Sequence, residues 1–228
     1  TSSTNPYDQG YLGAKAAIAA QFNGGNSVQS ISAIDASSKQ DKNYIAAYND
    51  VVSQAAQNVV FVSTGNQFDG IMNNSTLLNK GFTIKLVNDI DLHPVSKAQE
   101  NDVNVNSTDG KTFVIDGQNH IADMSGQQYK FNTNSTSNTQ LYVQNFQTLY
   151  GTNYFGPFSL SNGGAIYYKN VNYVGSQILS AKGNYVYVDG NVNVFQRDDV
   201  YDSPFLKGQG AQGSGNQNNL SIANMVLN

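Results

Sequence analysis

The sequence predicts a mainly β chain wound as a parallel β-helix, with an α-helical segment at its N-terminus. Three observations carry this. First, six segments repeat one pattern: apolar, any, apolar, any, then Asn or Gly. They are Ile84–Asn88, Phe113–Gly117, Leu141–Asn145, Ile166–Asn170, Val186–Gly190 and Leu220–Asn224. Second, the fifth residue always tolerates a left-handed backbone, so each segment reads as a strand ending in a sharp bend. Third, the bends recur every 20 to 34 residues. A period of that size belongs to stacked coils and not to a compact sandwich.

Residues 1–58 differ from the rest and form a helical segment expected to pack on the coils of residues 59–228. Asn5-Pro6-Tyr7-Asp8 is a helix start: Asn caps, Pro fits the first turn, and Asp suits the positive end. The Ala-rich run that follows extends the helix to about Phe22, where Asn23-Gly24-Gly25 stops it. Ser27–Ser38 reads as a loop. A second helix runs from about Asp41 to Gln57, with Tyr44, Tyr48, Val51, Val52 and Ala55 on its apolar face. Val59–Val62 alternates as a strand. Phe68, Ile71, Met72 and Leu77-Leu78 mark a short helix ended by Gly81. The coils then run to the C-terminus. Their connecting segments Val95–Asp109, Asn132–Asn138 and Gly208–Asn219 read as long polar loops.

Numbering each strand backward from its bend sorts the side chains. Positions two and four are apolar in every rung and face inward, as in Ile115/Phe113, Val143/Leu141 and Tyr168/Ile166. Position three faces outward and reads Lys85, Val114, Tyr142, Tyr167, Tyr187, Ser221. Parallel strands in register lie about 4.8 Å apart. Tyr142, Tyr167 and Tyr187 therefore form a ladder along the coil axis.

Composition narrows the function. Charged residues are 12% of the chain, about half the usual share. The formal net charge is −4 with Lys and Arg thinly spread, which argues against a nucleic-acid partner. There is no cysteine, so neither disulfides nor thiolate metal sites operate. No apolar run approaches the length of a membrane span, so no membrane insertion is expected. The chain opens at Thr1 and ends on the apolar Met225-Val226-Leu227, which reads as a mature fragment of a longer protein. The Asn-Ser-Thr triplets at Asn74, Asn106 and Asn134 are incidental to an Asn- and Ser-rich composition. This composition suits a bacterial exported protein.

The block Val60-Phe61-Val62-Ser63-Thr64, a short helix, Thr83–Leu92 and then Phe113–Ile121 carries a resemblance. Its most specific element is Ile115-Asp116-Gly117-Gln118-Asn119-His120-Ile121, spaced from Asn88-Asp89-Ile90-Asp91-Leu92. The block resembles the pectate-lyase-like adhesive domains of wall-anchored surface adhesins of lactic acid bacteria. The resemblance covers residues 59–228. It implies a right-handed β-solenoid whose first strand and helix cap the open end. It also implies an extracellular protein of the bacterial cell wall surface that attaches cells to a host.

Several constellations could carry chemistry. Pectate lyases need clustered aspartates for calcium and a basic residue to take a proton. The single arginine, Arg197, lies beside Asp198 and Asp199 with Asp202 near. In an extended stretch the two adjacent carboxylates point to opposite faces, so a solvated turn is the preferred reading. His93 and His120 are the only histidines, and a zinc site is not expected. Asp89 and Asp91 alternate on one face and could hold calcium, but turn and strand-edge roles are favoured. No cofactor and no metal is expected.

Binding is the stronger expectation. Tyr142, Tyr167 and Tyr187 offer amphipathic rings to sugar faces, with Lys169, Lys182 and Arg197 as cations toward an acidic glycan. Stacking for reinforcement, or burial of the ladder, is the competing view. Leu149–Phe158 packs aromatics into a Gly- and Pro-punctuated loop, where Tyr150 and Tyr154 either contact a ligand or fold back on the coil. The sequence thus predicts a non-enzymatic adhesin module binding a host cell-surface glycan or extracellular-matrix component. The alternatives are a polysaccharide lyase or hydrolase acting on acidic glycans and a structural or self-association module.

Overall fold

Every strand pairing among the described residues is parallel. The computed structural model describes residues 3–20, 32–96, 100–134, 136–180, 184–196, 204–205 and 225–227. In chain order, helices α1 (Pro6–Ala20) and α2 (Lys42–Ala56) precede strand β1 (Val59–Val62). Short helices α3 (Gly65–Met72) and α4 (Ser75–Leu78) follow. The coils comprise β2 (Phe82–Leu86), β3 (Ile90–Asp91), β4 (Asn101–Val105), β5 (Thr112–Asp116), β6 (Ile121–Asp123) and β7 (Gln127–Phe131). They continue through β8 (Thr139–Gly151), β9 (Phe158–Leu160), β10 (Gly164–Gly175), β11 (Leu179–Ser180), β12 (Tyr185–Gln196) and β13 (Met225–Leu227). The long sheet runs β1-β2-β5-β8-β10-β12-β13, with β3 and β6 continuing it beside β8. A second sheet runs β4-β7-β9-β11. The chain is a β-solenoid, as the repeat predicts.

Inward columns make the core. Phe82, Phe113, Leu141, Ile166 and Val186 are aligned across successive rungs and buried, as are Val60, Ile84, Ile115, Val143 and Tyr168. The second sheet faces them with Val105, Tyr129, Phe131, Phe158, Leu160 and Leu179, all buried. Each such side chain contributes about 1.5–3 kcal/mol by leaving water. Helix α3 is started by Thr64, whose Oγ1 accepts from Gln67 N, and it buries Phe68, Ile71 and Met72 in the same core. Phe68 lies 5.5 Å from the Tyr129 ring, and the Tyr129 hydroxyl donates to Asp69 Oδ1 at 2.8 Å. Helices α1 and α2 cover the outward side of β1: Tyr11 meets Phe61 edge-on at 6.1 Å, and Phe61 is fully buried. Lys85 Nζ donates to Gln54 Oε1 of α2. No described helix is long and apolar enough to cross a membrane.

Three expectations are corrected. The first rung slips by two residues: Ile84, not Leu86, stands opposite Ile115. Asn88 does not take the left-handed backbone used to align it. Gly117 does not take it either; Gln118 (φ 49°) and Asn119 (φ 62°) do. Glycine is needed at 117 for closeness instead, since a Cβ there would lie 2.6 Å from the Phe146 ring. Asn145 (φ 55°), Asn170 (φ 53°) and Gly190 (φ 65°) bend as predicted. Finally, Val95–Asp109 is not all loop. It holds β4, which pairs residue for residue with β7 and buries Val105. The expected rung Leu220–Asn224 and the loop Gly208–Asn219 lie outside the described residues; β13 pairs instead with Val186–Val188 of β12.

Polar side chains bond between rungs on the outside of the bend. Asp116 accepts from Gln144 Nε2 (2.9 Å) and Asn145 Nδ2 (3.2 Å), and Asn170 Nδ2 donates to Asn145 Oδ1 (3.3 Å). Asn170 Oδ1 in turn accepts from Asn191 N at 3.2 Å. This chain of bonds links successive rungs with amide side chains and a single carboxylate.

Candidate functional site

Strands β8, β10 and β12 each carry a tyrosine at the same outward register position. Tyr142, Tyr167 and Tyr187 are direct partners across the sheet. Their ring centroids are 4.3 and 4.7 Å apart with interplanar angles of 9°. The ladder therefore exists, and its geometry refines the expected chemistry. Rings this close hide one another's faces, so the stack presents ring edges and a row of hydroxyls, not open platforms. Tyr142 donates its hydroxyl hydrogen to Gln140 Oε1 at 3.0 Å. The Tyr167 phenol is pushed above its usual range by partial burial and by its two tyrosine neighbours. All three rings are half-buried.

The neighbouring outward column reads Phe61, Lys85, Asp116, Gln144, Lys169, Asp189. Lys169 lies here, one position from the ladder, and its ammonium pairs with Asp189 at 2.9 Å. That contact holds the Asp189 carboxyl below the usual carboxylate range. Both side chains of this surface pair are about half exposed (52% and 53%), so the ammonium stays open to solvent.

The aromatic segment after β8 splits. Tyr150 is 6% exposed and belongs to the strand end, so it offers no ring face to a ligand; this corrects its place among the contact residues. Tyr154 is half-buried and meets the exposed Phe155 edge-on at 4.7 Å. Lys182 and Arg197, with Asp198, Asp199 and Asp202 of the lyase alternative, lie outside the described residues.

The histidines sit in turns with carboxylates. Asp91, His93 and Asp123 bring three possible ligand atoms within 4.8 Å of one another. Their oxygens already have work. Asp91 Oδ1 accepts from His93 N (3.0 Å) and lies 2.5 Å from His93 Nδ1, and Asp123 Oδ1 accepts from Ser125 N (2.9 Å). Asp89 Oδ1 accepts from Ile121 N (2.9 Å) and stands 3.3 Å from His120 Nδ1, tying one coil to the next.

One feature escaped the sequence. A groove of about 390 Å³ crosses the outer face of the second sheet, lined by Asp102, Gln128, Lys130, Phe155, Ser159 and Ser180 among others. Its floor needs β4, which the sequence hid. The available signal was the alternation of Val103/Val105 with Tyr129/Phe131 at a constant 26-residue offset.

Comparison with known proteins agrees with this architecture. Residues 59–180, more than half of the chain, match the family model described as a pectate lyase-like adhesive domain. No curated protein and no solved structure gives a significant match. The match spans β1 through β11, both sheets included, and the chain belongs to the pectate lyase-like adhesive domain family.

Proposed function

We propose that this chain is a non-enzymatic adhesive module, displayed outside a bacterial cell as part of a longer wall-anchored protein, that holds a glycan on a host cell surface or in extracellular matrix. The membership in an adhesive family supports the binding role. The single observation that carries the glycan reading is the tyrosine stack: three phenolic hydroxyls one strand apart on a rigid sheet, flanked by Gln140 and Gln144. Sugars carry hydroxyls at comparable spacing that both donate and accept. Ring edges and hydroxyls, held in place before binding, meet them without a loss of side-chain freedom. Single contacts are weak, and many copies on one cell supply avidity.

The test is a glycan array run on the wild-type chain and on a variant with Tyr142, Tyr167 and Tyr187 all changed to Phe. Phenylalanine keeps the stack and removes only the hydroxyls. Binding should fall at least tenfold, which corresponds to about 1.4 kcal/mol, with an unchanged melting temperature. Full retention of binding would remove the stack from the site. Incubation with polygalacturonate, with and without calcium, should release no unsaturated product; release would restore the lyase alternative.

A further inference from the structure

The groove on the second sheet is built, not incidental. One buried residue ties two of its lining residues, Asp102 and Phe155, together. Asn153 is fully buried; its Nδ2 reaches Asp102 Oδ1 (3.3 Å) and Gly126 O (3.0 Å), while its Oδ1 accepts from Phe155 N (2.9 Å). One amide thus ties a carboxylate to the backbone of an exposed aromatic residue. Gly156 closes the same turn with φ 84°, and a Cβ there would lie 2.4 Å from Ile178 O, so the turn backbone beside Phe155 lies directly on the coil.

The floor carries unused hydrogen-bonding capacity. Gln128 is 3% exposed and lines the groove, yet its Nε2 has no hydrogen-bond partner. A buried donor without an acceptor is unfavourable in the free protein and favours any ligand that brings one. Lys130 stands two residues along the same strand face and enters none of the ion pairs among the described residues. The free oxygen of Asp102 supplies an acceptor, since only Oδ1 is engaged. Ser159 and Ser180 are direct partners across the sheet and add hydroxyls.

We propose that this groove is a second saccharide subsite that takes one neutral sugar unit. The proposal rests on the reading of the chain as a glycan adhesin and adds to it a site separate from the tyrosine stack. Phe155 packs on the apolar face of the ring. Gln128 Nε2 and Lys130 donate to ring or hydroxyl oxygens, and Asp102 accepts from a hydroxyl. A neutral sugar satisfies all of these at once because each hydroxyl both donates and accepts. An anionic unit gains Lys130 and meets Asp102 with like charge, so the groove has no net preference for it.

The experiment is an amide-resolved NMR titration of the 228-residue chain with methyl galactoside, methyl mannoside, methyl glucoside, N-acetylglucosamine and galacturonate. At least one neutral probe should give saturable shifts at the Gln128 side-chain amide and the Phe155 and Ser180 backbone amides. Affinity for that probe should drop at least tenfold in both Phe155→Ala and Gln128→Leu, each checked by its melting curve, and stay unchanged in Lys39→Ala, an exposed position ahead of α2. Three results overturn the proposal: no saturable shift at the groove from any neutral probe, unchanged affinity in both groove variants, or galacturonate binding there in preference to every neutral probe. Shifts confined to Tyr142, Tyr167 and Tyr187, with a positive glycan array, sink the groove alone. A blank array together with silent probes sinks the adhesin reading as well.

Discussion

Raising the pH above 10 should unfold this protein cooperatively, for a reason visible in its core. Tyr129, Tyr168 and Tyr173 are essentially unexposed. Each of their hydroxyls donates to an acceptor, and only Tyr129 also receives a bond, a long one from Gln127 Nε2 (3.4 Å). Tyr168 donates to Ile178 O (3.2 Å); Tyr173 lies 2.9 Å from Gly151 O and 2.8 Å from Gln177 O; Tyr129 donates to the Asp69 carboxylate (2.8 Å). A phenolate at any of these places would lose its solvation and face oxygen lone pairs. Burial therefore pushes all three phenols up, with Asp69 adding to the effect at Tyr129. In the unfolded chain they ionise near pH 10. The folded pKa values are raised, so the stability they contribute is present below pH 10 and is lost as pH rises beyond it. Each group removes about 1.4 kcal/mol per pH unit in that window, and the three together roughly 4 kcal/mol per unit. Against a total stability of about 5–15 kcal/mol, the fold should be lost within about one to four units above pH 10. The assay follows phenolate absorbance near 295 nm and far-ultraviolet circular dichroism in parallel. Exposed tyrosines should titrate first without loss of structure, and the last ones only together with the β signal. Tyr168→Phe should reduce the slope by about a third. Smooth ionisation of all 14 tyrosines with an intact β spectrum would refute the argument.

Two further expectations follow from particular contacts. Gly117→Ala should destabilise the coil by about 1–3 kcal/mol in urea unfolding, because the new methyl meets Phe146 and Asn145 O at 2.6 and 2.8 Å. Lys15, half-buried over the Tyr11 ring, is pushed down to about 8 by burial and then by Lys85. Between pH 8 and its unfolded value near 10.5 the native state binds fewer protons, so wild-type stability should rise with pH across that window. Lys15→Met should melt higher than wild type at pH 7, and the gap should close by pH 10; a constant gap would point to packing alone.

How much of this could be read from the sequence depends on how strongly each element repeats. The rungs at Phe113, Leu141, Ile166 and Val186 were legible because two apolar positions and a bend residue recur together. The first rung lies two residues off the repeat, and its Asn88 resembles the Asn145 and Asn170 bends in type but not in backbone. Strand β4 was missed because Val103 and Val105 alternate among Asn and Asp, the composition of a loop. The tyrosine ladder was legible from register alone. The orientation of its rings was not, since strand alternation fixes a face and says nothing of whether neighbouring side chains lie flat or stack. The groove was hidden for a topological reason: Asp102, Gln128, Phe155 and Ser180 come from three strands and a turn, and no local pattern announces their meeting.

The uniform direction of strand pairing has a mechanical consequence. Backbone bonds and the Asp116–Asn145–Asn170–Asn191 chain all run from one coil to the next, along the axis. Helices α1 and α2 sit at the β1 end and β13 lies past β12 at the other. Tension applied between the two ends of such a stack loads these bonds coil after coil and not in a single shared shear plane. A load along that axis would open the end turns first and leave the inner turns paired.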